Sequence, residues 1–317
     1  MTVIAIAGGT GGVGKTFVER LSQESNVHVI VLSRTSKLTL VRLLKASEPE
    51  ENVHLIQIDY NDIPSMTAEL ERHNVHTIIS AIGLVSSETS QSQLNLIEAA
   101  EMSRSTKRFI PSEYSFIQTP ELLSVDPSIQ WWLDAADRLK SSSLKYTRVI
   151  PGFFMDYWGM PHAKTNLHPY VFGIDIAGGV AAIPGDGNDI ICMTYTYDLA
   201  KYMVKMLELE EWPEFSVFVG DAVAYNEILT MAEGIRGKKF QTTYDSLDQI
   251  NAGRVTVPPM PSTMGSPEEL KEITALVSQL TVTGVFDLPK ENRMSYRFPE
   301  VQPFKLKQFL EKCWVGK

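Results

Sequence analysis

The sequence predicts an α/β fold, a doubly wound parallel sheet carrying a smaller, looser α+β lobe. Three observations point there. Apolar strand patterns alternate with helical stretches through the first half of the chain, a glycine-rich turn joins the first strand to the first helix, and after about residue 157 the texture shifts to Gly, Pro, Met and aromatic residues. At 317 residues the chain is long enough to bury a substantial core.

VIAIA (3–7) is a short apolar strand pattern, and the stretch ending FVERLSQES has helical spacing, so the segment between them, GGTGGVGKT, is a strand-to-helix turn. VHVIVLS (27–33), VHLIQI (53–58) and HTIISAI (76–82) repeat the strand pattern. Their near-continuous apolar character predicts burial on both faces of a parallel sheet. A helix near 92–102 leads into KRFIPSEYS and another near 128–142 into KYTRVIPGFF, which read as two further strands with their loops. Beyond them, SPEELKEITALVSQL opens with Ser266 as N-cap, Pro267 at the first helical position and Glu269 completing a capping box. The expected division is a Rossmann-type dinucleotide-binding domain over 1–157, with returning segments near 188–222, and a mainly substrate-binding lobe over 158–317.

Composition narrows the function. A formal net charge of −9 and the lack of basic clusters interleaved with aromatics argue against nucleic acid as a ligand. Two cysteines, Cys192 and Cys313, form neither a metal-ligand spacing nor a disulfide framework, which fits a reducing compartment. MTVIAIAGG is too quickly interrupted by glycine for a signal peptide, and no apolar run reaches the roughly 18 residues of a membrane span. A cytoplasmic protein without a membrane segment is expected. His162 and His168 have no second ligand at metal spacing, so no metal is expected.

GGTGGVGKT fits two phosphate-binding patterns. Read from Gly9 it is a triphosphate loop, G-x-x-x-x-G-K-T, for which Asp59 could serve as the magnesium ligand; read from Gly8 it is a dinucleotide turn, G-x-x-G-x-x-G. The second reading requires a ribose-reading residue about 20 positions on, and Arg34 stands there, at the end of the second strand. An acidic residue would favour NAD, whereas an arginine accommodates the 2′-phosphate of NADP.

The residues also resemble the isoflavone-reductase and NmrA-like branch of the atypical short-chain dehydrogenases, with a flavour of fungal secondary metabolism. The likeness runs through GGTGGVGK, VLSR, QLNLIEAAEMSRSTKRFIPSEYS and KYTRVIPGFFMDYWG. In that family Lys15 belongs to the glycine turn and carries no triphosphate implication. The resemblance implies that Gly8, Thr10, Gly11, Gly12, Val13 and Gly14 hold the cofactor pyrophosphate and that Arg34, with Lys37, takes the 2′-phosphate of NADP(H). It further implies that Ser80, Ala81, Ile82 and Gly83 pass under the ribose and nicotinamide, and that Gly152, Phe153 and Phe154 lie against the nicotinamide, with core packing the competing role for the two phenylalanines.

The family's catalytic lysine position aligns with Trp132, with Asp134 two residues on. Lys140 lies about 12 Å further along the helix axis at roughly 1.5 Å per residue. Tyr114 and Tyr157 are the remaining proton-donor candidates, on segments that the family places near the cleft. Tyr197 and Lys201 match the Y-x-x-x-K pair of ordinary short-chain dehydrogenases but come too late in the chain for that role. Phe153, Tyr157, Trp158, Met160, Phe172, Met260 and Met264 fall in the regions that would cover the nicotinamide and suggest a broad apolar pocket for a hydrophobic small molecule, with Trp132 and Phe154 as further pocket candidates. The leading expectation is an NADPH-dependent reductase of a hydrophobic aromatic or polycyclic metabolite. The alternatives are a non-catalytic NADP(H)-sensing regulator and a non-redox isomerase or cyclase on the same fold.

Overall fold

The computed structural model describes residues 1–34, 53–261, 265–291 and 293–317. The chain begins in the middle of its principal sheet. Strand β1 (Thr2–Ala7) pairs in parallel with β2 (Val27–Ser33), and β2 with β3 (Val53–Gln57), building out to one edge. The chain then returns to the other side of β1 with β4 (Thr77–Ser80), β5 (Arg108–Ile110) and β6 (Lys145–Tyr146). The resulting order is β3-β2-β1-β4-β5-β6, parallel throughout. Strand order therefore reverses between β1 and β4, and the crevice beyond their carboxyl ends is where open α/β sheets bind ligands.

Alternation along β1 feeds two cores. Ile4 and Ile6 face helices α1 (Gly12–Leu21) and α6 (Thr196–Leu207), packing with Phe17, Leu21, Leu199 and Met203. Ala5 and Ala7 face the opposite layer, α2 (Ile63–Arg72), α3 (Ser87–Met102) and α4 (Gln130–Lys140), through Met66, Leu70, Leu96, Ile97 and Leu139. Both faces are covered, which explains the unbroken apolar strands that the sequence displays. The fold is the expected Rossmann-type α/β arrangement.

The strand KYTRVI is interrupted at Thr147. β6 ends at Tyr146, and β7 (Arg148–Ile150) pairs in parallel with β12 (Phe215–Val217), where the Thr147 and Ser216 hydroxyls meet at 2.8 Å. The later residues build two small sheets. One has the order β13-β11-β8, from β8 (Phe153–Phe154), β11 (Ile190–Thr194) and β13 (Asp221–Ala224); the other has the order β14-β10-β9, from β9 (Ile174–Asp175), β10 (Val180–Pro184) and β14 (Gln241–Asp245). Helix α9 (Pro267–Val282), against which the short α8 (Leu247–Asn251) packs, closes with α7 (Tyr225–Arg236) and α10 (Leu306–Trp314) over a third core that contains Phe153, Trp158, Ile183, Tyr225 and Phe309. The capping box expected at Ser266 and Glu269 is formed. Between β8 and β11, the four-residue helix α5 (Asp156–Gly159) places the buried carboxylate of Asp156 against the start of α6.

Candidate functional site

The glycine turn lies at the strand-order reversal. Gly8 has φ +73°, and a Cβ there would sit 2.4 Å from the Ala81 carbonyl oxygen, so only glycine lets the end of β1 pass beside the end of β4. A Cβ on Gly14 would strike the Gly8 carbonyl oxygen at 2.3 Å, which brings the helix start directly onto the turn. Gly11 is the N-cap of α1 and supplies no side-chain cap; its N–H donates to the Gly8 carbonyl at 3.0 Å, and the first helical N–H to reach back is that of Lys15, donating to the Gly11 carbonyl at 2.7 Å. The N–H groups of Gly12, Val13 and Gly14 thus have no acceptor within the helix and sit at its positive end, which favours an anion. Thr10 is half-buried on the same turn.

Arg34 directly follows β2, with 65% of its side chain exposed and its guanidinium 3.6 Å from the Glu88 carboxylate at the start of α3. Lys37 and Met264 lie outside the described residues. At the end of β4, Ser80 is buried, Ala81 and Ile82 are half-buried and Gly83 is exposed with open space where a Cβ would stand. The Ala81 N–H donates to the Ala7 carbonyl at 2.8 Å, locking the two strand ends together.

Tyr114 supports this floor. Its backbone takes φ +37°, its hydroxyl donates to the Ser80 carbonyl at 2.8 Å, and its ring packs edge-on against Phe17 at 5.4 Å. Burial raises its pKa well above the ordinary tyrosine value. This hydroxyl is committed inside the core, so the proton-donor expectation for Tyr114 is replaced by one of support.

Phe153 and Phe154 point to opposite faces of β8, as adjacent strand residues do. Phe153 turns into the lobe core, with ring centroids 5.7 Å from Trp158, 5.4 Å from Phe172 and 4.2 Å from Phe286. Phe154 packs on the α1-side core, as do Val13 and Ala81, and so faces the glycine turn's side of the sheet.

A cavity of about 310 Å³ lies in the lobe, lined in part by Tyr157, Trp158, Met160, Pro169, Tyr170 and Met260. Four of the residues anticipated for the nicotinamide side thus come together here: Tyr157, Trp158, Met160 and Met260. Phe172 stands behind this wall, 4.7 Å from the Tyr157 ring and 4.6 Å from that of Tyr170. Burial pushes the Tyr157 hydroxyl up to about 12, helped by the neighbouring Asp156. Trp132 does not line the cavity; it is half-buried on α4, 6.4 Å from Trp131. Asp134 on the same helix accepts a hydrogen bond from Gln130 at 2.7 Å.

Tyr197 and Lys201 do not pair with each other. The Tyr197 hydroxyl donates to Glu19 at 2.6 Å, while Lys201 donates to Asp198 at 2.7 Å. The sequence did not single out Glu19, Asn166 or Leu167, yet all three gather at α1. Asn166 Nδ2 donates to Glu19 at 3.1 Å, and a Cβ on Gly12 would stand 2.8 Å from Leu167. No local pattern marks a contact between positions so far apart in the chain. His162 packs its ring against Trp314 at 4.8 Å, and among the described residues no group of three or more His, Cys, Asp or Glu is placed to hold a metal ion. Among the same residues, no helix is long and apolar enough to cross a membrane.

Comparison with known proteins agrees with this architecture. The chain is 30% identical to oxidoreductase swnN of Metarhizium robertsii, covering all of this chain and 98% of that protein. It is 35% identical to oxidoreductase BOA1 of Botryotinia fuckeliana over 76% of this chain and 78% of that one. Among solved structures, AtPrR2 with NADP+ and (+)pinoresinol superposes with a TM-score of 0.74 at 19% identity, covering 98% of each chain. The leucoanthocyanidin reductase–NADPH complex from Vitis vinifera gives a TM-score of 0.74 at 16% identity, covering 98% of this chain and 99% of that one. These structures share the fold, and the family model for the NmrA-like family matches residues 1–285. With a glycine turn at the strand reversal, relatives along its whole length and a family match over most of it, the chain belongs to the NmrA-like family.

Proposed function

We propose that the chain is an NADPH-dependent reductase of a hydrophobic aromatic or polycyclic metabolite. The observation that carries this reading is the turn Gly8–Gly14 at the β1/β4 reversal, with Arg34 at the end of the neighbouring strand β2. The bare backbone at Gly11 and Gly12 fits a diphosphate, and the Arg34 fork fits a 2′-phosphate by charge-assisted hydrogen bonds. Relatives named oxidoreductases and like-folded structures holding NADP+ or NADPH support it.

When bound, the cofactor supplies a hydride. The chain's own residues then have three tasks. Gly8, Thr10, Gly11, Gly12, Val13 and Gly14 hold the diphosphate, Ser80, Ala81, Ile82 and Gly83 form the floor under the ribose and nicotinamide, and Phe154 covers that side from β8. Tyr157, Trp158, Met160 and Met260 exclude water from an apolar substrate, and Tyr157 is the proton donor. With its pKa near 12, the Tyr157 hydroxyl stays protonated at neutral pH and would give up its proton only to a strongly basic atom of the substrate.

The test is fluorescence titration with NADPH and NADH, followed by a metabolite panel scored for NADPH oxidation. NADPH should bind more tightly than NADH, and Arg34→Ala should weaken NADPH by on the order of 1.5 kcal/mol, about tenfold, the lower end of a charge-assisted contact because the side chain is largely exposed. Equal NADPH affinity in parent and variant overturns the assignment of Arg34. A non-catalytic NADP(H)-sensing regulator is the second reading, favoured by Trp132 at the lysine position and by the committed hydroxyl of Tyr114. Tight NADPH binding without turnover across the panel would select it.

A further inference from the structure

Residues 164–168 contain no helix or strand, yet side chains bind them on every side. The Lys164 carbonyl accepts the Tyr195 hydroxyl at 2.6 Å, and its ammonium stands 4.5 Å over the Tyr197 ring. The Thr165 hydroxyl donates to Asp156 at 2.7 Å; this fully buried carboxylate also accepts the Thr196 N–H at 2.9 Å and the Thr196 hydroxyl at 2.6 Å. Asn166 Nδ2 lies 3.2 Å from the Thr16 hydroxyl, 3.1 Å from Glu19 and 3.4 Å from the Tyr197 hydroxyl, which itself donates to the other Glu19 oxygen at 2.6 Å.

This loop rests on the first residue of α1. A Cβ on Gly12 would stand 2.8 Å from Leu167 Cδ2 and 3.3 Å from the Asn166 carbonyl oxygen. Two residues beyond Leu167, Pro169, Tyr170 and Val171 line the cavity. From Leu167 to Tyr170 an extended chain reaches at most about 11 Å at roughly 3.3–3.6 Å per residue, so there is little slack to absorb a displacement at either end.

We propose that residues 164–171 are a strap joining the dinucleotide turn to the substrate cavity, with Asn166 as its positioning residue. The inference rests on the NADPH reading above. A diphosphate over the N–H groups of Gly12 and Val13 shares a wall with Asn166 and Leu167. Seating it fixes the strap, and the strap sets Pro169, Tyr170 and Val171 for substrate. The cofactor therefore enters first and orders the cavity. Tyr197, stripped of the short-chain-dehydrogenase role, acquires one as the partner that orients Glu19 toward Asn166.

Hydrogen exchange of the parent with and without NADPH, together with NADPH fluorescence titration of variants, tests this. In the parent, NADPH should slow exchange across 164–171, including Tyr170 and Val171. Asn166→Ala should raise the NADPH Kd about tenfold and abolish the protection of Tyr170 and Val171. Asn166→Asp sets a second carboxylate against Glu19 and should be worse, while the Glu19→Gln, Asn166→Asp double variant, which restores the hydrogen bond with reversed polarity and the original charge, should return Kd to within about threefold of the parent. A merely structural role predicts no such rescue. Protection confined to residues 8–14 in the parent, which needs no variant, overturns the strap, as does a parent that binds NADPH while Asn166→Ala keeps its Kd and protection. A parent that fails to bind NADPH overturns the cofactor reading itself, a separate and recognisable result.

Discussion

Tyr197 shows how a short motif misleads at the scale of single residues. Its spacing to Lys201 puts both on one helical face, but a carboxylate claims each side chain, Glu19 for the tyrosine and Asp198 for the lysine. Burial and then the Glu19 hydrogen bond raise the Tyr197 pKa far above its ordinary value, and the hydroxyl's proton is already committed to that carboxylate. Tyr197→Phe should therefore keep kcat within about fivefold of the parent, where loss of a general acid costs a hundredfold or more; steady-state kinetics on the substrate found by the panel decides it. Gly8→Ala is the opposite case. Its Cβ meets the Ala81 carbonyl at 2.4 Å in a left-handed backbone, so the variant should lose on the order of 1–3 kcal/mol of stability, read by denaturant unfolding, and lose NADPH binding with it. The glycines were legible because their role is the absence of a side chain, which the turn dictates locally. Glu19 and Asn166 were not, because their meaning comes from a partner 147 residues away.

Among the elements, the parallel strands were the most legible, since burial on both faces writes itself as an unbroken apolar run. Direction within a strand was less so. Phe153 and Phe154 are chemically alike, and only the pairing of β8 with β11 decides which one faces the lobe and which the glycine turn. The β2–β3 edge carries a consequence for acid stability. His28 on β2 has its ring 4.5 Å from that of His54 on β3, and His73 follows α2. Burial first, then the neighbouring His54 and His73, lowers the pKa of His28; burial first, then mainly Arg72, lowers that of His73. A lowered histidine pKa means the unfolded chain binds protons that the folded one refuses. These groups leave stability unchanged well above the ordinary value of 6.5 and erode it as pH falls below 6.5 toward the lowered native values. Unfolding midpoints in urea should accordingly drop between pH 7 and pH 5, and His28→Gln should flatten that slope. An unchanged slope would place the acid sensitivity elsewhere.

Across the whole molecule, the sequence revealed two textures but not how the second is closed. Helix α10 seals the lobe, where Trp314 Nε1 donates to the Trp158 carbonyl at 2.8 Å beside the cavity. Nothing in LKQFLEKCW specifies that partner; only an amphipathic face is visible. Trp314→Phe removes the donor and leaves a buried carbonyl unpaired, which should cost about 1–3 kcal/mol and lower the thermal midpoint by several degrees in calorimetry. That bond also sets a timetable for the newborn polypeptide. A ribosome adding roughly 5–20 residues per second needs roughly 8–30 s to travel the 156 positions from Trp158 to Trp314. For that interval the principal sheet can already be assembling while the wall around Trp158 stands open, an oily surface waiting for its cover. Yield in a cell is then governed by whatever shields that wall during translation, so slowing elongation across α10 should send more of the product into inclusion bodies although the finished fold is unchanged.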